Sequence, residues 1–306
     1  MKYFEFETNK LFSCDGNCKH NCCIGWEISI DKKSLSLYQD LKKRDNRFFD
    51  GCFNGKTFNL NSSLRCPFLD EDNLCYIIKN YGEKSLCKTC KTHPRFKNFF
   101  SGTTETGLGL YCEKAGSLIL SSKKKMKLCL IKDDHKSTCF SPFEKKVFSF
   151  RKKALSIIQN RKLPLDNRIE NLLNLCDINI NKKSFNDWLK IFGRLENLKV
   201  NDFCFKKIDT ATCFSVTVPK FDLQFEQLLS YLAYRHLSRA IDFIDLRVRL
   251  AFIILSFKMI NHLFSNSQKT FEDLVEICRF YTSEIECNDD NLFLLLNEIE
   301  SLVSLL

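Results

Sequence analysis

Histidine is scarce in this chain, with five residues in 306. Only His20 and His93 fall near the cysteines, and neither has a second histidine three to five residues away, so the histidine spacing of a zinc finger is excluded. No glycine-rich phosphate loop is visible. Gly107-Leu108-Gly109 has no strand–loop–helix pattern around it and carries little weight. The longest apolar stretch, near Leu250 to Phe257, is far short of the roughly 20 residues a membrane span needs. The start of the chain places Glu5 and Glu7 where a secretory segment would be apolar, so nothing points to export and a cytoplasmic location is expected. Internal repeats and low-complexity linkers are also absent, which leads us to expect two halves packed together.

Cysteine is what the chain has in excess, 17 residues in all. Nine of them form a pattern: Cys14-x3-Cys18-x3-Cys22-Cys23, then Cys66-Pro67-Phe68-Leu69, Cys75, Cys87-x2-Cys90 and Cys112. In a reducing compartment such clustered thiols are more often metal ligands or redox groups than disulfides. Cys87-Lys88-Thr89-Cys90 is the strongest single pair, because a C-x2-C turn sets two sulfurs a bite apart. Cys66 and Cys75, across the turn Asp70-Glu71-Asp72-Asn73, can complete such a site. The adjacent Cys22 and Cys23 point apart, so they serve two irons or two centres, or leave one thiol over. The radical-SAM spacing C-x3-C-x2-C is absent, because position 21 is Asn.

Thiolate sets suit an iron–sulfur cluster or zinc. Nine cysteines match one [4Fe–4S] cluster with spares, two clusters with one over, or two zinc sites; redox thiols and buried apolar cysteines are the remaining readings. Cys52, Cys129, Cys139, Cys176, Cys204, Cys213, Cys278 and Cys287 lie outside the array and read mostly as small buried hydrophobes.

The net charge of +10 is uneven. Residues 1–140 hold 24 basic against 16 acidic side chains, and residues 141–306 hold 23 against 21. A basic metal region can meet nucleic acid or an acidic protein. The lysines are scattered, however, and Lys123-Lys124-Lys125-Met126-Lys127 reads as a solvated loop, so nucleic acid is not the expected partner. The composition changes near residue 140, giving an expected cysteine-rich metal domain over 1–140 and a helical domain over 141–306. The fold class is mainly α, with an irregular N-terminal region holding a few short strands.

Gly25–Ile30 and 57–60 read as short strands, and Asp31 caps a helix to about Leu41. Ser141-Pro142-Phe143-Glu144 carries three helix-start signals at once. Asp166, Ser184 and Thr270-x2-Asp273 read as further caps, for helices near 167–176, 185–198 and beyond 270. Residues 204–219 look irregular, and a last helix covers about 290–304. Within the apolar segment 221–264, Arg235, Arg239, Asp242, Asp245 and Arg249 recur at helical steps and read as one solvated stripe, or else as the wall of a polar cleft. Glu284 and Glu286 read as surface carboxylates, or as proton acceptors beside such a cleft. Trp26 reads as a lid over the metal core. Arg95, after Pro94, is a candidate partner for a carboxylate or phosphate.

At these residues the chain resembles the flagellin lysine-N-methylase family, part of a wider group of cysteine-cluster proteins. The likeness runs through Cys14…Cys18…Cys22-Cys23-x-Gly25-Trp26, Cys66-Pro67-Phe68-Leu69-x5-Cys75, Tyr81-Gly82-Glu83, Cys87-x2-Cys90, Pro94-Arg95 and Leu110-x-Cys112. It continues more loosely at Tyr234-Arg235-His236 and Tyr281-x2-Glu284-Ile285-Glu286. His93 stands where the pattern calls for tyrosine, and Ser283 where it calls for arginine. The resemblance implies methyl transfer from S-adenosylmethionine to lysine side chains of flagellin, with a [4Fe–4S] cluster in the N-terminal region. It makes the nine cysteines a ligand pool and Arg95 a candidate for the methionine carboxylate of the donor. The alternatives are an iron–sulfur electron-transfer protein and a non-catalytic, zinc-stabilised interaction module.

Overall fold

The computed structural model describes residues 1–14, 18, 22–135, 139–196, 213–215 and 217–303. Its first strand, β1 (Lys2–Phe6), is followed by a cysteine-rich stretch with little regular structure. There Asp31 accepts from the Ser34 amide and starts α1 (Lys32–Arg44), as the sequence predicts. Short helices α2 (Asn46–Phe49), α3 (Tyr76–Tyr81) and α4 (Lys88–Thr92) follow. The expected strands at 25–30 and 57–60 amount only to isolated bridges, Ser29 with Thr57 and Phe53 with Phe58. The Asp70 turn is present: its carboxylate accepts from the Leu74 amide at 2.8 Å.

A sheet that the sequence reading missed comes next. β2 (Arg95–Phe100) and β3 (Thr103–Leu108) form a hairpin, α5 (Glu113–Leu120) follows, and β4 (Leu128–Asp133) completes the order β2-β3-β1-β4. β1 runs parallel to β3 and antiparallel to β4. Every residue of β3 is buried, so Thr103-Thr104-Glu105-Thr106 shows no alternation of apolar and polar side chains. Glu105 is neutralised by Arg151 at 2.6 and 2.7 Å. Gly107 has a packing reason, because a Cβ there would lie 2.4 Å from the Phe96 ring and 2.7 Å from Phe6.

The remainder is helical: α6 (Pro142–Ile158), α7 (Leu165–Cys176), α8 (Phe185–Phe192), α9 (Asp222–His236), α10 (Phe243–Ser265), α11 (Phe271–Glu286) and α12 (Asp289–Glu300). Ser141, Ser184 and Thr270 each form a reciprocal capping box with the residue three positions on. Asp166 is not a cap, since Pro164 occupies that position and α7 begins at Leu165. α8 ends at Phe192, before Gly193, rather than near 198. Most of the expected irregular stretch 204–219 lies outside the described residues, as do His20 and Cys204. No helix among the described residues is long and apolar enough to cross a membrane.

The segment 221–264 is two helices, not one. α9 stops at His236, a 3-10 turn covers Leu237–Arg239, and the Asp242 carboxylate caps α10. The supposed stripe is therefore divided. Arg249 and Asp245 pair at 2.9 Å along α10, Arg239 and Asp242 are exposed, and Arg235 is buried. Both helices are buried on nearly every face, as expected for the centre of a helical core.

Among the described residues, buried apolar side chains form two clusters. The larger joins Phe6, Phe96, Leu108, Leu110, α5 and all the helices from α6 to α12. The smaller gathers Ile30, Tyr38, Leu41, Phe49, Phe58, Phe68, Ile77 and Leu86 with Cys52, Cys66 and Cys87. Residues 1–12 and 95–120 thus share a core with the helical half, while 28–90 pack on their own. The fold is mainly α, with one four-stranded sheet.

Candidate metal centre

Three of the nine cysteines stand at helix starts. Cys75, Cys87 and Cys112 are the N-cap residues of α3, α4 and α5. Their side chains make no cap hydrogen bond, but the first-turn amides of Ile77 and Ile78, Thr89 and Cys90, and Lys114 and Ala115 act to lower the three thiols. The Phe68 amide acts on Cys66 in the same direction. Amide N–H groups near sulfur favour the thiolate, which is the form that binds metal. The sequence signal was available: a cysteine in the place where serine or aspartate usually caps a helix.

Seven of the nine cysteines, Cys14, Cys18, Cys22, Cys23, Cys75, Cys90 and Cys112, line one cavity of about 160 Å³. Its apolar wall is Phe12, Trp26, Ile28, Ile78 and Leu86, and its polar groups include Glu27, Glu113, Lys114 and His93. Cys66 and Cys87 lie behind this wall in the smaller core. The thiols interact in two sets. Cys18 is influenced by Cys112, Cys22 and Cys14, and Cys90 by Cys87, Cys23 and Cys66. Cys22–Cys23 and Cys14–Cys75 join the two sets.

Burial raises most of these thiols. Desolvation pushes Cys18 and Cys66 up to about 12 and Cys112 to about 11. A hydrogen bond with Cys23, and then burial, pushes Cys22 well up; contact with the His93 imidazole opposes this. Cys87 departs from the pattern: the Cys90 thiol and two amides hold it at about 7, and Cys90 is raised in return. A C-x2-C pair that shares one proton in this way releases it when a cation arrives.

No group of three described His, Cys, Asp or Glu side chains converges on a point suited to a single metal ion. The thiols surround a space instead. One buried polar atom is orphaned there: His93 Nε2 has no hydrogen-bond partner. Soft sulfur donors around a cavity and an unpartnered imidazole nitrogen on its wall fit a metal–sulfur centre.

Arg95 is placed one ring away. Its guanidinium lies 5.3 Å from the Phe12 ring centroid, and Nη1 donates to the Lys91 carbonyl at 3.4 Å. Trp26 lies on the cavity wall. Outside the array, Cys52, Cys176 and Cys278 are buried, whereas Cys139 and Cys213 are exposed.

Glu284 and Glu286 are not surface carboxylates; both are buried. Glu286 accepts from the Tyr231 hydroxyl, meets His236 Nε2 at 2.9 Å and pairs with Arg235 at 3.4 Å. Burial pushes its carboxyl up, but the His236 and Tyr231 hydrogen bonds and the Arg235 charge hold it below the ordinary range. Arg235 also lies over the Phe96 ring at 4.5 Å, so this network ties α9 and α11 to the sheet.

Fold and cavity together define the class, a mainly α cysteine-cluster protein in which seven of the nine clustered cysteines line one pocket. Over 135 residues the chain is 33% identical to proteins named lysine-N-methylase from Salmonella typhimurium strain LT2 and Salmonella choleraesuis strain SC-B67. It is also 33% identical over 135 residues to the flagellar biosynthetic protein FliU of Salmonella muenchen. The alignments take in 38% of this chain, 32% of each lysine-N-methylase and 76% of FliU. The chain therefore spans about a third of the length of the lysine-N-methylases it matches. No protein-family model and no solved structure matches it. The chain belongs to the flagellin lysine-N-methylase family.

Proposed function

We propose that the chain is a cytoplasmic protein-lysine N-methyltransferase. It moves a methyl group from S-adenosylmethionine to lysine side chains of flagellin and carries a cysteine-ligated [4Fe–4S] cluster in its N-terminal region. The observation that carries this reading is a cavity walled by seven cysteines in a chain that is 33% identical, over 135 residues, to proteins named lysine-N-methylase. A zinc ion with Zn–S bonds of about 2.3 Å draws its sulfurs onto one point. A void of about 160 Å³ ringed by thiols suits a polynuclear centre better.

When bound, the cluster supplies cationic iron and sulfide that neutralise the buried thiolates and tie the loops together. The chain's own side chains do the rest. Phe12, Trp26, Ile28, Ile78 and Leu86 exclude water from the pocket. With the cluster filling the cavity, lysine and donor would meet outside it, at its apolar rim, where desolvation lowers the lysine from its usual pKa of about 10.4 and yields the neutral amine. That Nζ lone pair forms a bond to the methyl carbon while the carbon–sulfur bond breaks, its electron pair remaining on the departing thioether. The surplus proton passes to Glu27 or Glu113, the carboxylates on the wall. Arg95, behind Phe12, is the partner for the donor's carboxylate.

The test is iron, zinc and acid-labile sulfide on anaerobically purified protein, followed by incubation with flagellin and methyl-labelled donor. Iron with matching sulfide, and label on flagellin lysines, is the expected result. Colourless protein with zinc, no sulfide and unlabelled flagellin would overturn the reading in favour of a non-catalytic scaffold.

A further inference from the structure

The cavity is not lined by sulfur alone. His93 is the single imidazole on its wall among the described residues, at the junction of the α4 C-terminus and β2. Its ring is fixed from two sides, by a contact with Cys22 and by Tyr111, whose ring centroid lies 5.5 Å away. Tyr111 is itself held by the hydrogen bond from its hydroxyl to the Pro94 carbonyl at 3.1 Å. Against this fixed background His93 Nε2 is buried with no hydrogen-bond partner. A buried imidazole nitrogen left without a partner is destabilising, so its retention on a cavity wall calls for a ligand.

We propose that His93 is a nitrogen ligand of the metal–sulfur centre, binding through Nε2 beside Cys14, Cys18 and Cys112. This rests on the reading of the cavity as a metal–sulfur centre and specifies its donor set. Three features carry it. First, Cys14, Cys18, Cys22 and Cys112 form one of the two thiol sets, and His93 contacts that set through Cys22. Second, a metal-bound imidazole uses its second nitrogen to bond a neighbouring acceptor, and Cys22 is the neighbour in place. Third, Cys22 is engaged by both Cys23 and His93 on the cavity wall, so the imidazole is held against the thiols that line it. Replacing one thiolate by a neutral imidazole takes a negative charge from the first coordination shell, which raises the reduction potential of an iron–sulfur centre.

The experiment is pulsed EPR on the reduced, anaerobically purified full chain, grown with 15N-histidine and with natural histidine. A strongly coupled nitrogen whose splitting changes with the isotope is expected, and is expected to vanish in His93→Gln with iron and sulfide retained. His93→Cys should keep the cluster, lose the nitrogen coupling and shift the potential downward. An iron–sulfur cluster without any strongly coupled histidine nitrogen, or a coupling that survives both substitutions, would overturn the assignment while leaving the cluster intact. The isotope measurement on the unsubstituted chain decides the matter even if a variant misfolds. If the metal is zinc, absorption fine structure showing three sulfurs and one nitrogen, converting to four sulfurs in His93→Cys, would uphold the ligand and sink the iron–sulfur reading. A chain that binds no metal would sink both.

Discussion

The two cores of this protein are built by different physics. The helical core rests on apolar burial: α9 and α10 are enclosed on nearly all sides, and Trp188, Phe192, Phe225, Phe252 and Tyr281 are almost completely buried. The smaller core has Tyr38 at its centre, ringed by Phe49, Phe53, Phe58 and Phe68 at 5.7–6.2 Å. It has short helices and isolated bridges in place of a sheet. A unit of this size buries too little apolar surface to be secure by itself, and small folds commonly add a metal or cross-links. Cys23, Cys66, Cys75, Cys87 and Cys90 lie within or against the smaller core, while Cys14 and Cys112 meet them from the larger one. A metal–sulfur centre of the kind proposed would act as a fold determinant as well as a chemical group, with sulfur standing in where hydrocarbon runs short.

The largest break in this comparison is expected from stripping the metal. Treatment with chelator and oxidant should abolish amide-exchange protection across residues 23–90 while α9 and α10 keep theirs, measured by hydrogen exchange with mass spectrometry. Uniform loss across both cores would show that they fold as one unit. Next in size is a matched pair of substitutions. Arg151→Ala leaves the Glu105 carboxylate buried and unpaired, a loss of about 3–5 kcal/mol in denaturant unfolding. It should leave the metal content of the folded fraction unchanged. Tyr38→Ala empties the centre of the smaller core at a comparable cost of about 3–5 kcal/mol, and metal content should fall with it. Equal metal retention in the two variants would contradict the division.

The helical side was the more legible from sequence, and the reason is local. Ser141, Ser184 and Thr270 cap helices through side chains three residues away, so a short window contains the whole signal. The sheet was not legible, because β1 pairs with β3 about a hundred positions later and β3 hides a glutamate whose partner, Arg151, lies in α6. Glu286 misled for the same reason, since Tyr231 and His236 reach it from 55 and 50 positions away. Of the candidate site, the nine cysteines stood out by spacing alone, and seven share one cavity. Which thiols stand at helix starts, and that His93 shares their pocket, depended on where the chain turns.

The Glu286 network sharpens the comparison through pH. Burial, with Arg235 and Arg249 nearby, lowers His236 in the folded state, although its bond to Glu286 opposes this. Below about 6.5 the unfolded chain therefore takes up a proton that the folded chain resists, and stability falls as pH drops. Glu286 acts in the same direction at lower pH. Its folded carboxyl lies below the ordinary range, so the stability it contributes is lost as pH falls through that lowered value. Thermal unfolding of the helical core should weaken steadily from pH 7 to 5, and His236→Gln should flatten that slope. An unchanged slope in the variant would remove His236 from the account.

The smallest expected effects are at two caps, one on each side. Ser141→Ala removes half of the capping box of α6 and should cost about 1 kcal/mol with no change in metal content. Asp31→Ala should cost about the same from its cap on α1, but its carboxylate has a second duty. Oδ2 accepts from the Lys88 amide at 2.7 Å, which pins the start of α4 between Cys87 and Cys90 to α1. With that bond gone the C-x2-C turn keeps only the Thr89 hydroxyl bond to the Ser29 carbonyl as its tie outside α4, so metal should be released faster by chelator, and Asp31→Asn should reverse part of that effect. Matching release rates in Ser141→Ala and Asp31→Ala would mean that the turn needs no help from α1. A faster rate in Asp31→Ala alone would show that a side chain 57 residues away sets the geometry of the Cys87–Cys90 turn.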